Sequence, residues 1–154
     1  IEIAYQEMRS DEPEEIAKQS AEMLANKLNK NVVVEDSGLF IKALNDFPGT
    51  CSAYIHKKIG LKGILKLMEE AKDRGCAYKS AVAYCEPGKM AVSFLGEENG
   101  KIAESIRGNY GFGHDPIFIP EGNSKTYGEM EDCEKSKRFR RKAAERLRDY
   151  LTGK

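Results

Sequence analysis

The sequence predicts an α/β fold: a long, bent, mixed sheet flanked by helices, with a central cleft where two glycine-bearing segments meet. Three observations lead there. Extended β-branched runs alternate with stretches of helical period along the chain. One such run, Val32-Val33-Val34, stops abruptly at Glu35-Asp36-Ser37-Gly38-Leu39. A second segment, Gly108-Asn109-Tyr110-Gly111-Phe112-Gly113-His114-Asp115-Pro116, collects glycines, aromatics, a histidine and an aspartate ahead of the short apolar strand Ile117-Phe118-Ile119-Pro120. At 154 residues the chain fits a single domain, 1–154, large enough to bury a core, and no repeat, low-complexity tract or linker divides it.

The elements follow in order. Ser10-Asp11-Glu12-Pro13 supplies a capping residue, acidic groups and a first-turn proline, and Ile16, Ala17, Ser20, Met23, Leu24 and Leu28 then recur at helical spacing up to Asn29. Strands are expected over 32–35 and 39–43. The three valines want burial on both faces, as in a central parallel strand. Leu61, Ile64, Leu65 and Met68 share one face of a helix over 60–72. Strands over 76–86 and 90–96 are joined by Glu86-Pro87-Gly88-Lys89, a turn with proline where turns favour it, and another strand covers 101–106. The last helix, 134–151, starts strongly basic and carries Ala143, Ala144, Leu147 and Leu151 on its apolar side.

Composition narrows the function. Lysine plus arginine balance aspartate plus glutamate at 25 each, so no overall field favours nucleic acid or a membrane surface, and the basic run over 135–142 is short. No apolar run approaches the roughly 20 residues that span a bilayer, and no secretory pattern opens the chain, so the expected location is the cytoplasm. Cys51, Cys76, Cys85 and Cys133 lack C-x-x-C spacing and read as reduced, partly buried thiols.

Two carboxylates at the end of an apolar strand are costly unless they meet solvent, a metal or a substrate, and open α/β sheets bind ligands at strand ends. Glu35 and Asp36 therefore read as a Mg²⁺ or general-base site, or as a solvated turn. The glycines of 108–113 permit close backbone approach, and the aromatics offer faces for a flat ring such as a nucleobase, with Asp115 placed to read a ring edge or hold a metal.

The segments Glu35-Asp36-Ser37-Gly38-Leu39 and Gly111-Phe112-Gly113-His114-Asp115-Pro116-Ile117-Phe118 resemble the two signatures of the inosine triphosphate pyrophosphatase family. Between them, Ala43-Leu44-Asn45-Asp46-Phe47-Pro48-Gly49-Thr50-Cys51-Ser52-Ala53-Tyr54 is similar to the family's loop after the acidic strand, and 60–69 to its following helix in archaeal members. Thr126-Tyr127-Gly128-Glu129-Met130 and Glu134-Lys135-Ser136 resemble the run before the final helix. The likeness covers nearly the whole chain in order and spacing. It departs in two places. The family's opening strand and Thr/Ser-Gly-Asn-x-x-Lys phosphate loop have no counterpart, so the chain is expected to lack about one βα unit, some 30 residues, with Ile1-Glu2-Ile3-Ala4-Tyr5 similar to the family's second strand. Where the family carries Ser-His-Arg, this chain has Arg138-Phe139-Arg140 with one residue fewer in the spacing, and only Arg140 keeps its type.

The resemblance implies hydrolysis of non-standard purine nucleoside triphosphates (ITP, dITP, XTP) to the monophosphate and pyrophosphate. It implies Mg²⁺ held by Glu7, Glu35 and Asp36, with Asp36 also the catalytic base, and a homodimer. Substrate binding falls to Ser37, Gly38, Phe112, Gly113, His114, Asp115, Lys135 and Arg140. Phe112 is the stacking aromatic and Asp115 the reader of the purine edge. Lys135 and Arg140 close over base or phosphates. His114 stands where the family has Tyr or Trp and is expected to make base binding sensitive to pH near neutrality. A second reading, a nucleotide-binding or structural remnant of the same fold with little catalysis, stays open beside the first.

Overall fold

The computed structural model describes residues 8–153. Ile1-Glu2-Ile3-Ala4-Tyr5 and Glu7 lie outside the described residues. Helix α1 (Pro13–Leu28) begins at the expected proline, and Asn29 ends it in the left-handed conformation. Strand β1 (Val32–Ile41) follows, then β2 (Pro48–Gly49), α2 (Ser52–Leu67), β3 (Gly75–Cys85), β4 (Val92–Ile102), β5 (Phe118–Pro120), α3 (Cys133–Ser136) and α4 (Arg138–Thr152). The strands form one sheet in the order β2-β1-β3-β4-β5.

Among the described residues every pairing is antiparallel, so the expected mixed character is not found there. Val32-Val33-Val34 does not belong to a central parallel strand. It pairs antiparallel with β3, and Val33 is exposed while Val32 and Val34 turn half-buried toward α1. The acidic pair also ends no strand. β1 runs on unbroken through Glu35-Asp36-Ser37-Gly38 to Ile41, because each of these residues keeps a partner on β3, from Val82 back to Lys79. Likewise β4 absorbs both the 90–96 strand and the start of the 101–106 strand.

The two sheet faces have different partners, as the alternation of strand side chains requires. On one face Ala17, Ala21 and Ala25 of α1 lie against Ala81, Ala83 and Cys85 of β3, a small-residue seam that lets the helix approach closely. On the other, Val82 meets Ala143 and Leu147 of α4. The largest cluster lies beyond them, where Leu39, Ile41, Tyr78, Ile102, Phe118, Tyr127 and Phe139 pack with Ile64 and Met68. The helical face expected from Leu61, Ile64, Leu65 and Met68 is the one that packs there, although α2 starts earlier than expected and breaks its helical backbone at Gly60. No helix among the described residues is long and apolar enough to cross a membrane. All four cysteines are free, and burial pushes the Cys76 thiol up to about 12.

Two features seat α4, which carries much of the site. The buried Glu98 carboxylate accepts the Arg138 backbone N–H at 2.9 Å and the Tyr127 hydroxyl at 2.7 Å, placing negative charge at the helix start, where the peptide dipoles favour it. At Gly96 the helix backbone lies directly on the sheet: a Cβ there would stand 1.9 Å from the Phe139 carbonyl oxygen and 2.8 Å from the Ala143 nitrogen. Neither atom can rotate aside. Gly96→Ala should therefore lift α4 and cost about 1–3 kcal/mol, the usual range for overpacking, read as a lowered urea midpoint with an unchanged slope.

Candidate active site

The glycine-rich segment owes its shape to Asp115. Its carboxylate, 1% exposed, accepts the Phe112 backbone N–H at 2.7 Å, the Tyr78 hydroxyl at 3.2 Å and the Lys137 ammonium at 2.8 Å. Gly111 turns at φ 74° beside it, and a Cβ there would lie 2.2 Å from the same carboxylate, so this position requires glycine. The loop is tied further along by the Tyr110 N–H to Gly128 carbonyl bond at 2.9 Å.

This loop, β1 and the start of α4 enclose a cavity of about 370 Å³, within the size range of small-molecule sites. Ser37, Gly38 and Leu39 of β1 form its floor with Tyr78, and Ser52 and His56 of α2 one wall. Phe112, Gly113, His114 and Asp115 form the second, with Lys137 and Arg140 beside Phe112. Phe112 is 57% exposed, and its ring lies 4.2 Å from the Lys137 ammonium and 5.0 Å from the Arg140 guanidinium carbon. Arg140 also bonds Glu35 at 2.8 Å and Ser37 Oγ at 3.3 Å. Burial first, then the neighbouring Asp115 carboxylate, holds the Tyr78 phenol well above its ordinary range.

Ser37, Gly38, Phe112, Gly113, His114, Asp115 and Arg140, all expected at the site, thus meet at one cavity. Lys135 does not. Its side chain is 79% exposed on the outer side of α3, paired with Asp132, and the buried ammonium in the cavity belongs to Lys137. The expected continuous helix over 134–151 breaks at Lys137, whose extended backbone separates α3 from α4 and turns its side chain inward. The signal for this was present: Phe139, Ala143 and Leu147 recur every four residues, so an aromatic inside the basic run marks the inward face. Phe139, in place of a polar residue before Arg140, stacks on Tyr78 at 4.9 Å. Tyr78, His56 and Ser52 carry no sequence mark that sets them apart.

Glu35 and Asp36 do not converge as a metal pair. Adjacent strand residues project to opposite faces. Glu35 shares the cavity face with Ser37 and is bound by Arg140 and the Ser80 hydroxyl, the latter at 2.7 Å, whereas Asp36 lies half-buried opposite Ala81 on the α1 face. Asp115, Cys133 and Glu134 also place ligand atoms within 4.8 Å of one another, but the Lys137 ammonium bonds both carboxylates and Arg140 lies 3.8 Å from Glu134, so two cations already face the two anions.

His114 also departs from expectation. It is 4% exposed, edge-on to His56 at 5.1 Å, and burial followed by the His56 charge pushes its pKa down to about 4. The ring is neutral throughout the physiological range, so the expected titration near pH 7 is overturned.

The fold and cavity define a class, an α/β protein whose sheet face carries an aromatic-walled pocket under two cations. The chain belongs to the Ham1 family, whose model matches residues 1–150. It is 50% identical over 151 residues to a dITP/XTP pyrophosphatase of Methanopyrus kandleri, spanning 97% of this chain and 80% of that protein. A dITP/XTP pyrophosphatase of Methanosarcina mazei is 47% identical over 150 residues, again 97% and 80%. Among solved structures, the Staphylococcus aureus Ham1 protein superposes with a TM-score of 0.88 at 30% identity, covering 98% of this chain and 81% of that one.

Two outcomes follow from this geometry. Lys137→Met leaves the Asp115 charge buried without its counter-ion and should destabilise by about 3–5 kcal/mol, while Lys135→Met should leave the chemical denaturation curve in place. Because the unfolded imidazole titrates near 6.5 and the folded one near 4, stability should be complete above pH 7 and decline by roughly 3 kcal/mol as pH falls through that window. In His114→Phe, the part of the decline that belongs to this ring should vanish from urea titrations at stepped pH.

Proposed function

We propose that this chain hydrolyses non-standard purine nucleoside triphosphates, those of inosine, deoxyinosine and xanthosine, to the monophosphate and pyrophosphate. The observation that carries the reading is the cavity itself, where the β1 segment from Ser37 and the Phe112 loop meet under Lys137 and Arg140. The identity to archaeal proteins named for this reaction supports it.

The base stacks on the exposed face of Phe112, and Lys137, which has donors and no acceptor, faces a ring carbonyl that adenine lacks. Arg140 holds positive charge at the cavity mouth through Glu35 and Ser37, where Ser37 and Gly38 meet the triphosphate. Asp36 orients the attacking water and takes its proton. Mg²⁺ belongs to this reading, supplying neutralisation of the triphosphate charge. Asp36 and Glu7 would hold it, with Glu35 alongside bonded to Arg140 and the Ser80 hydroxyl. A cytoplasmic homodimer completes the reading, supported by Tyr54, Ile59 and Leu67, which α2 leaves exposed.

Pyrophosphate release from ITP or XTP by the unmodified chain is the test, with ATP as the comparison substrate. Asp36→Asn should lower turnover ~10²- to 10⁴-fold, as loss of a general base does, with nucleotide binding retained. Full pyrophosphate release by that variant would remove Asp36 from the role. Binding without release in the unmodified chain would favour a nucleotide-binding protein instead.

A further inference from the structure

Strand β4 pairs with β3 along nearly its whole length, but on its other side β5 covers only Gly100, Lys101 and Ile102. Over 92–99 that outer side has no strand beside it among the described residues. Residues of an antiparallel strand turn their backbone groups alternately to its two sides. The Glu121 N–H, donating to the Asn99 carbonyl at 2.9 Å, marks the odd-numbered residues as the outward ones. Ser93, Leu95 and Glu97 therefore turn amides and carbonyls toward an open edge, the feature through which a sheet adds a strand from another chain.

Helix α4 lays a row of side chains along this edge. Lys142 donates to the Glu97 carbonyl at 2.8 Å, Arg146 donates to the Leu95 carbonyl, and the Tyr150 ring lies 5.5 Å from that of Phe94. Four helical residues advance about 6 Å, and two strand residues about 6.8 Å. One row of α4, running against the direction of β4, thus meets successive outward carbonyls. Both cations are exposed, and neither lines the cavity.

We propose that Lys142 and Arg146 guard the open edge of β4 and keep it from pairing with the same strand of a second copy of this chain. The occupant follows from symmetry. Laid antiparallel to itself about Leu95, the edge lets Leu95 exchange both backbone bonds with Leu95 of the second copy and sets Ser93 opposite Glu97, with no like-charged strand residues opposed. The cations oppose this in two ways. Each occupies a carbonyl that the second strand needs, and the two-fold axis would draw Arg146 of both copies together at its centre. Pushing them aside strips water from unpaired charge.

The experiment is sedimentation velocity of the full chain over a range of concentrations, beside the double variant Lys142→Met, Arg146→Met. At matched concentration the double variant should reach about twice the mass of the unmodified chain, as one twofold pair requires. Adding Leu95→Pro, which removes an outward amide and is tolerated on an edge strand, should return it to the unmodified mass. In hydrogen exchange, the Leu95 and Glu97 amides should be roughly tenfold or more slower in the double variant than in the unmodified chain; this readout decides if the proline variant does not fold. Should the methionine pair itself fail to fold, Lys142→Gln with Arg146→Gln, which removes charge and keeps polarity, takes its place. A double variant with the unmodified mass overturns the proposal. So does added association that leaves the Leu95 and Glu97 amides as fast as before, since the contact then lies on another surface.

Discussion

Burying a carboxylate costs more than any one hydrogen bond returns, and Asp115 meets that cost with donors from three separate parts of the chain: the Phe112 backbone, the Tyr78 hydroxyl on β3 and the Lys137 ammonium between α3 and α4. Each partner is thereby fixed relative to the others. The loop acquires its turn, the ammonium is drawn over the Phe112 ring, and the helix break at Lys137 gains its reason. The residue expected to read a ligand edge is also the post to which its neighbours are tied.

The sheet divides the remaining work. Glu35 and Asp36 differ in environment because they are neighbours on a strand: one faces α4 and is neutralised by Arg140, the other faces α1. Their surroundings are therefore unlike: the first holds the cation that frames the cavity, and the second lies on the opposite face beside Ala81. Antiparallel pairing along the whole of β1 keeps this division, since a slip of one residue would exchange the faces of both.

Much of the architecture was legible in the chain. The proline start and Asn29 end of α1, the turn at Glu86-Pro87-Gly88-Lys89 and the apolar face of Ile64 and Met68 follow from local rules that tertiary context left undisturbed. Strand limits were less legible, because Glu35, Ser37 and Gly38 look like a turn by composition and are held extended by pairing partners some 45 residues away, from Val82 to Lys79. Lys137 was hidden for a related reason. Nothing in Glu134-Lys135-Ser136-Lys137 says which lysine turns inward; that is decided by the buried charge of Asp115, which only the fold brings near. His114 was visible as a residue but not as a neutral one, since its burial and its contact with His56 are tertiary facts.

The cations parked over Phe112 bear on how tightly any flat ring is held. The ring face already enjoys the attraction of an ammonium at 4.2 Å and a guanidinium at 5.0 Å. An incoming base exchanges part of that attraction for stacking, so the net gain on docking is smaller than the contact area implies. The same exchange runs backward on departure, when the cations return to a ready partner. A ring face already held by two cations therefore favours release as much as capture.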